Sequence, residues 1–158
     1  MTYLMFALLF SVRPIDPIAL DTLDLATSRS AVVRTLIDTL EHSNVIVHIQ
    51  SSVDMPSGLN GATRFIVSRG GYRYLRITIS SKLPRELRMS ILAHELQHAC
   101  EIAESGADDV DSLRRLLTQV GRRDGNYFET RAAIDVEKMV RTEVRTALQA
   151  EPVVKFHH

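Results

Sequence analysis

A chain of 158 residues, 45% hydrophobic and 24% charged, has the size and apolar content of one domain able to bury its own core. Nineteen basic residues balance nineteen acidic ones, which excludes a net field that would draw in nucleic acid or an anionic membrane through bulk charge. Cys100 is the only cysteine, so an internal disulfide and a cysteine-built zinc site are excluded, and any metal must be held by His, Asp and Glu.

The run from Met1 to Phe10 is nearly all apolar, yet it is far shorter than the ~20 residues of a membrane span. It has the apolar centre of a secretory signal without the basic start or the small-residue cleavage site. For residues 1–15 two readings stand: a residual export signal or flexible start, and a first strand of the folded domain. The compartment stays open between cytoplasm and export, since a lack of disulfides fits both.

After Pro14 and Pro17, the stretch from Asp21 to His42 places Leu23, Leu25, Val32, Val33, Leu36, Ile37 and Leu40 at mostly helical spacing, best defined over Ser28 to Glu41. Val45 to Ile49 reads as a β-branched strand, and Ser51 to Gly61 as a turn-rich connection. Ala62 to Ser68 and Tyr72 to Ser80 read as two strands joined by a hairpin at Gly70-Gly71. Within them Arg69, Arg73 and Arg76, with Tyr72 and Tyr74, form a small basic and aromatic patch, expected on a solvated face.

From Pro84 the pattern turns helical, with an apolar stripe of Leu87, Ile91, Leu92, Leu96 and Ala99 and a stop near Ser105-Gly106. A further helix is expected from Asp108 to Val120, closed by Gly121. The last, from about Tyr127 to Ala150, keeps Ala133, Val136, Val140, Val144 and Leu148 near one face. The fold class is α+β: a small, mostly antiparallel sheet packed on the helix Pro84 to Glu104, followed by further C-terminal helices. No repeat, low-complexity tract or long linker divides the chain.

The chemistry is concentrated in His94-Glu95-Leu96-Gln97-His98. Residues four apart in a helix stand one above the other, so His94 and His98 can direct two imidazoles at one ion. Glu95 lies to the side of that ion, where it can deprotonate a water that the metal activates. The neighbours Ile91, Leu92, Ala93, Leu96 and Ala99 make the helix a buried one. There, two imidazoles and a carboxylate without partners would be costly, and a shared metal satisfies them.

The segment Ala93 to Ala99 resembles the active-site helix of the zincin metallopeptidases, a superfamily named for its His-Glu-x-x-His motif. The resemblance covers that helix closely and, more loosely, the order helix, small sheet, active-site helix, later helix. It implies a catalytic Zn2+, a zincin-like fold, and substrate pairing to the strand before the active-site helix, here Tyr72 to Ser80. The metzincin pattern is excluded, because the positions three and six after the second histidine are Glu101 and Glu104. The gluzincin-like pattern takes its third ligand from a downstream helix, and Glu129 in Tyr127-Phe128-Glu129-Thr130 is similar to that element. Where several such families carry a supporting Asp three or four residues on, this chain has Ala132 and Ala133, and Asp135 is poorly phased. Another group must then orient the first histidine.

Glu101 is the rival third ligand, although three donors on one straight helix cannot easily surround an ion tetrahedrally. Tyr127 could donate to an oxyanion or simply pack. His42 and His48 read as structural, His157 and His158 as terminal, and Cys100 as a buried thiol. The expected activity is zinc-dependent hydrolysis, most directly of peptide bonds in a peptide or protein substrate, with His94, His98 and Glu129 as ligands and Glu95 as base. Two other activities stand beside it, a zinc-stabilised binding scaffold and a hydrolase of non-peptide amides or esters. Oligomeric state and any inactive precursor are not legible. No nucleic-acid partner and no membrane span are expected.

Overall fold

The computed structural model describes residues 10–56, 58–120, 122–124 and 127–150, with backbone alone for 116–120, 122–124 and 127–128. Chain order begins with strand β1 (Val12–Pro14), so at least this part of the first fifteen residues belongs to the sheet; residues 1–9 lie outside the described residues. Helix α1 (Pro17–Arg29) opens where Asp16 accepts hydrogen bonds from the Ile18 and Ala19 amides, with proline in the first turn where its missing N–H costs nothing. Helix α2 (Ala31–Glu41) follows after one residue.

That residue is Ser30, and it explains why one periodic run becomes two helices. Its backbone is extended, its N–H closes α1 on Ala26 O, and its hydroxyl accepts from the Val33 amide to open α2. The same hydroxyl donates to Glu143, which ties the break to the last helix.

The sheet holds β1, β2 (Val45–Ser52), β3 (Gly61–Arg69) and β4 (Tyr72–Ser80) in the order β1-β2-β4-β3. This corrects the expected mostly antiparallel sheet: β1 with β2 and β2 with β4 pair parallel, and only β3 with β4 pairs antiparallel. The two helices α1 and α2 carry the chain from the end of β1 back to its start, so β2 leaves in the same direction. The chain then runs past β2 to the far edge, where β3 folds back into β4. That hairpin turns at Gly70 and Gly71, with φ of 61° and 80°, a conformation that other residues adopt only with strain. A second correction follows, because β4 is paired on both sides and cannot take a peptide; β3 is the edge strand beside it, and β1 lies at the opposite edge.

Helix α3 (Arg85–Ser105) runs through the middle of the molecule, packed by the sheet and by α1, α2 and the last helix, α5 (Arg131–Ala150). Between α3 and α5 lie α4 (Val110–Val120) and a short hairpin of β5 (Arg122–Asp124) and β6 (Tyr127–Glu129). The core joins Val47, Ile49, Leu75, Ile77 and Ile79 of the sheet to Leu36 and Leu40 of α2, Met89, Leu92 and Leu96 of α3, and Val140 and Val144 of α5.

Arg73 departs from the solvated patch expected of it. It is 5% exposed, and its guanidinium donates to the carbonyls of Ile102, Ala103 and Ala107 and to Asn44 Oδ1. The cation thereby takes up carbonyls left over at the C-terminal end of α3, where the helix dipole favours positive charge. Gly106, with φ of 68°, ends the helix there. Among the described residues no helix is long and apolar enough to cross a membrane.

Candidate metal centre

Four elements meet around the middle of α3. The helix itself supplies His94, Glu95, His98 and Glu101; the junction of β6 and α5 supplies Glu129 and Thr130; α5 supplies Glu137; and β3 supplies Gly61 and Thr63. His94, Glu95 and His98 are each less than a tenth exposed, and the Glu129 side chain is 40% exposed, so the cluster opens to solvent on the Glu129 side.

His94 and His98 turn their Nε2 atoms toward each other at 3.2 Å, and Glu129 Oε2 lies 3.3 Å from His94 Nε2. Donor atoms of these three residues all lie within 4.8 Å of one another, close enough to hold one metal ion. Tetrahedral zinc with bonds of ~2.0–2.1 Å separates its donors by about 3.3 Å, which both short contacts match.

The back of each ring fixes which nitrogen faces the ion. His98 Nδ1 lies 3.0 Å from Glu101 Oε2, and His94 Nδ1 lies 3.2 Å from Glu137 Oε2. A carboxylate at Nδ1 calls for a proton there, which leaves the Nε2 lone pairs directed at each other. In neutral rings these two lone pairs would repel at 3.2 Å, and either a shared metal ion or a proton on the His94 Nε2 relieves that repulsion. The Glu137 contact is close but misaligned, and His94 Nδ1 is the one fully buried side-chain nitrogen or oxygen without a well-formed hydrogen bond among the described residues.

Charge around the pair favours a cation. Burial works against a charge on His94, but Glu129, Glu137 and Glu95 outweigh it and push the imidazole up to about 10. The hydrogen bond to His94 holds the Glu129 carboxyl below its usual range, against the opposing effect of burial. For Glu101, burial is outweighed by the contacts of His98 and the hydroxyl of Thr130, and its carboxyl is held low as well.

Glu95 stands apart from these. Burial pushes its carboxyl up, with His98, Thr63 and His94 pulling the other way. The Thr63 hydroxyl donates to Glu95 Oε2 at 2.7 Å and also approaches the Glu95 carbonyl oxygen at 3.1 Å. Gly61 leaves room for that carboxylate, for a Cβ there would fall 2.7 Å from Glu95 Oε1 and from Ile91 Cγ2.

Several expectations need adjusting. Glu129 is brought to the histidines, but from the last position of β6 rather than from a helix, since α5 begins two residues later with Thr130 as its cap. Glu101 lies behind the His98 ring, on Nδ1, and takes the Thr130 hydroxyl at 2.7 Å, so it braces the site rather than facing its centre. Asp135 pairs with Arg131 away from the cluster. The Tyr127 side chain, like His157 and His158, lies outside the described residues. His42 bonds to the Asp38 carbonyl and His48 stacks on Tyr74. The Cys100 thiol is pushed up to about 12, chiefly by burial. Sequence reasoning missed Glu137 and Thr63, which no motif spacing connects to the histidines.

No family model matches the chain, and comparison with curated proteins and with solved structures likewise gives no match.

Proposed function

We propose that this protein is a small zinc-dependent hydrolase of zincin-like, gluzincin-like type, cleaving peptide bonds. The observation that carries the reading is the pair of buried imidazoles with converging Nε2 atoms, each backed by a carboxylate, with a third carboxylate within 3.3 Å. The donor set of His94, His98 and Glu129 is the nitrogen and oxygen set that zinc accepts, and three protein donors leave a fourth position open. When bound there, the metal would acidify a water and polarise a substrate carbonyl.

The chain's own residues supply the rest. Glu95 takes the proton of the attacking water and passes it to the leaving amine; its raised affinity for a proton, caused by burial, suits a group that must hold one between the two steps. Thr63 and Gly61 hold the carboxylate on one line of approach. Glu101 and Glu137 keep the rings turned. Peptide substrates are favoured because β3, which contacts Glu95, is an edge strand of the described sheet, a place where an extended chain can pair.

The test is hydrolysis of a quenched-fluorescent peptide library and of simple esters by the zinc-loaded chain. The reading expects peptide cleavage that falls at least ~100-fold in Glu95→Gln, the range lost with a general base, while zinc content is unchanged. Ester cleavage alone would replace the substrate class. Zinc binding with no turnover of either would leave the binding scaffold.

A further inference from the structure

A row of three arginines and a histidine crosses the face of the sheet opposite the metal centre. The core takes Val45, Val47 and Ile49 of β2 and Leu75, Ile77 and Ile79 of β4, so the residues that alternate with them, His48 and Arg76 among them, point to the other side. Strand register aligns four residues there, one from each strand: Arg13 opposite His48, His48 opposite Arg76, and Arg76 opposite Arg64. At the usual strand spacing the row spans about 14 Å.

Two members of the row, Arg64 and Arg76, stand exposed on strands that contain no acidic residue. The chain has 19 acidic residues, yet none lies in any of these four strands. Arg64 and Arg76 are exposed and directly opposed, an arrangement of like charges that weakens a strand pair. Arg13 and Arg76, after burial, lower the affinity of His48 for a proton. A stability cost borne on an open face is offset when the face meets an anion.

Apolar side chains border the row. Val67 lies opposite Tyr74 and is 45% exposed, Ile66 beside it is 46% exposed, and Ile15, two positions after Arg13, is 54% exposed. Phosphodiester backbones complement the arginines but not these aliphatic groups. An anionic bilayer surface complements both, with headgroup phosphates on the guanidiniums and the aliphatics at the acyl boundary. We propose that this sheet face docks on anionic phospholipid, which holds the protein at a membrane surface without a span. The proposal does not depend on the metal centre.

The test is co-sedimentation of the full chain with vesicles of phosphatidylcholine alone and of phosphatidylcholine with about one-third phosphatidylglycerol, enough to give the surface a strong negative potential. Wild type and Arg64→Gln/Arg76→Gln are compared at low and high salt, with circular dichroism to show that both are folded. Docking predicts binding to the anionic vesicles only, weakened by salt, and reduced by roughly tenfold or more in the double variant, given the attraction contributed by each basic residue. Equal binding to both vesicle types, or no change in the folded double variant, would overturn it. A fluorescent single-stranded oligonucleotide bound through the two arginines, with no vesicle binding, would overturn it in favour of nucleic acid.

Discussion

At the scale of single residues, the proposed metal centre would rely on carboxylates placed behind its imidazole rings. Glu137 and Glu101 set the rings of His94 and His98 from behind, and removing such partners typically costs 10–100-fold in metal affinity. Glu137→Ala is therefore expected to weaken zinc binding within that range in a chelator competition, with the far-ultraviolet spectrum unchanged. The pH dependence has a defined sign. His94 holds its proton up to about 10 in the folded chain, against an ordinary value of 6.5, and a metal must displace that proton. Zinc affinity should then rise about tenfold per pH unit between pH 7 and 8, measured by the same competition. Stability of the chelator-treated chain runs the other way, full below 6.5 and lost as pH rises through about 10. The histidines and Glu95 were legible because helical spacing puts them together within one turn. Glu137 was not, because it meets His94 only through the packing of α5 on α3.

Among the elements, α3 is held at both its middle and its end. Arg73 draws three carbonyls near the C-terminal end of α3 into one buried guanidinium, so Arg73→Leu leaves those oxygens and Asn44 without their donor. A loss of about 3 kcal/mol is expected in urea unfolding, the size usual for breaking a buried polar network. On β3, Gly61→Ala forces a Cβ against Glu95 and Ile91. It should lower turnover while the metal content stays that of wild type, which separates the placement of the base from the placement of the ion. The positions of β2, β3 and β4 and the Gly70-Gly71 turn could be read from β-branched runs and glycines, whereas β5 was not read and β6 fell within the expected last helix. Strand direction could not, since parallel pairing arises from the α1–α2 crossover, which residue pattern does not encode. The break at Ser30 was hidden because apolar spacing continues through it, and Arg73 because an arginine on a strand gives no sign of the helix end it will meet.

For the molecule as a whole, the two faces of one sheet differ in chemistry. The helical side buries the core and builds the cluster against β3, while the other side carries aligned arginines on strands that contain no acidic residue. A net charge of zero concealed that separation, because it averages over both sides. The α+β class and the motif helix were within reach of the sequence; the order of strands that makes β3 the exposed edge next to Glu95 was not. The most direct test of the centre is metal content by mass spectrometry on tag-free protein, for wild type, His98→Ala and Glu129→Ala purified side by side. Near one zinc per chain in wild type, with loss in both variants, is the expected result. Wild-type protein that holds no zinc after incubation with the metal, at a pH where His94 can yield its proton, would contradict it.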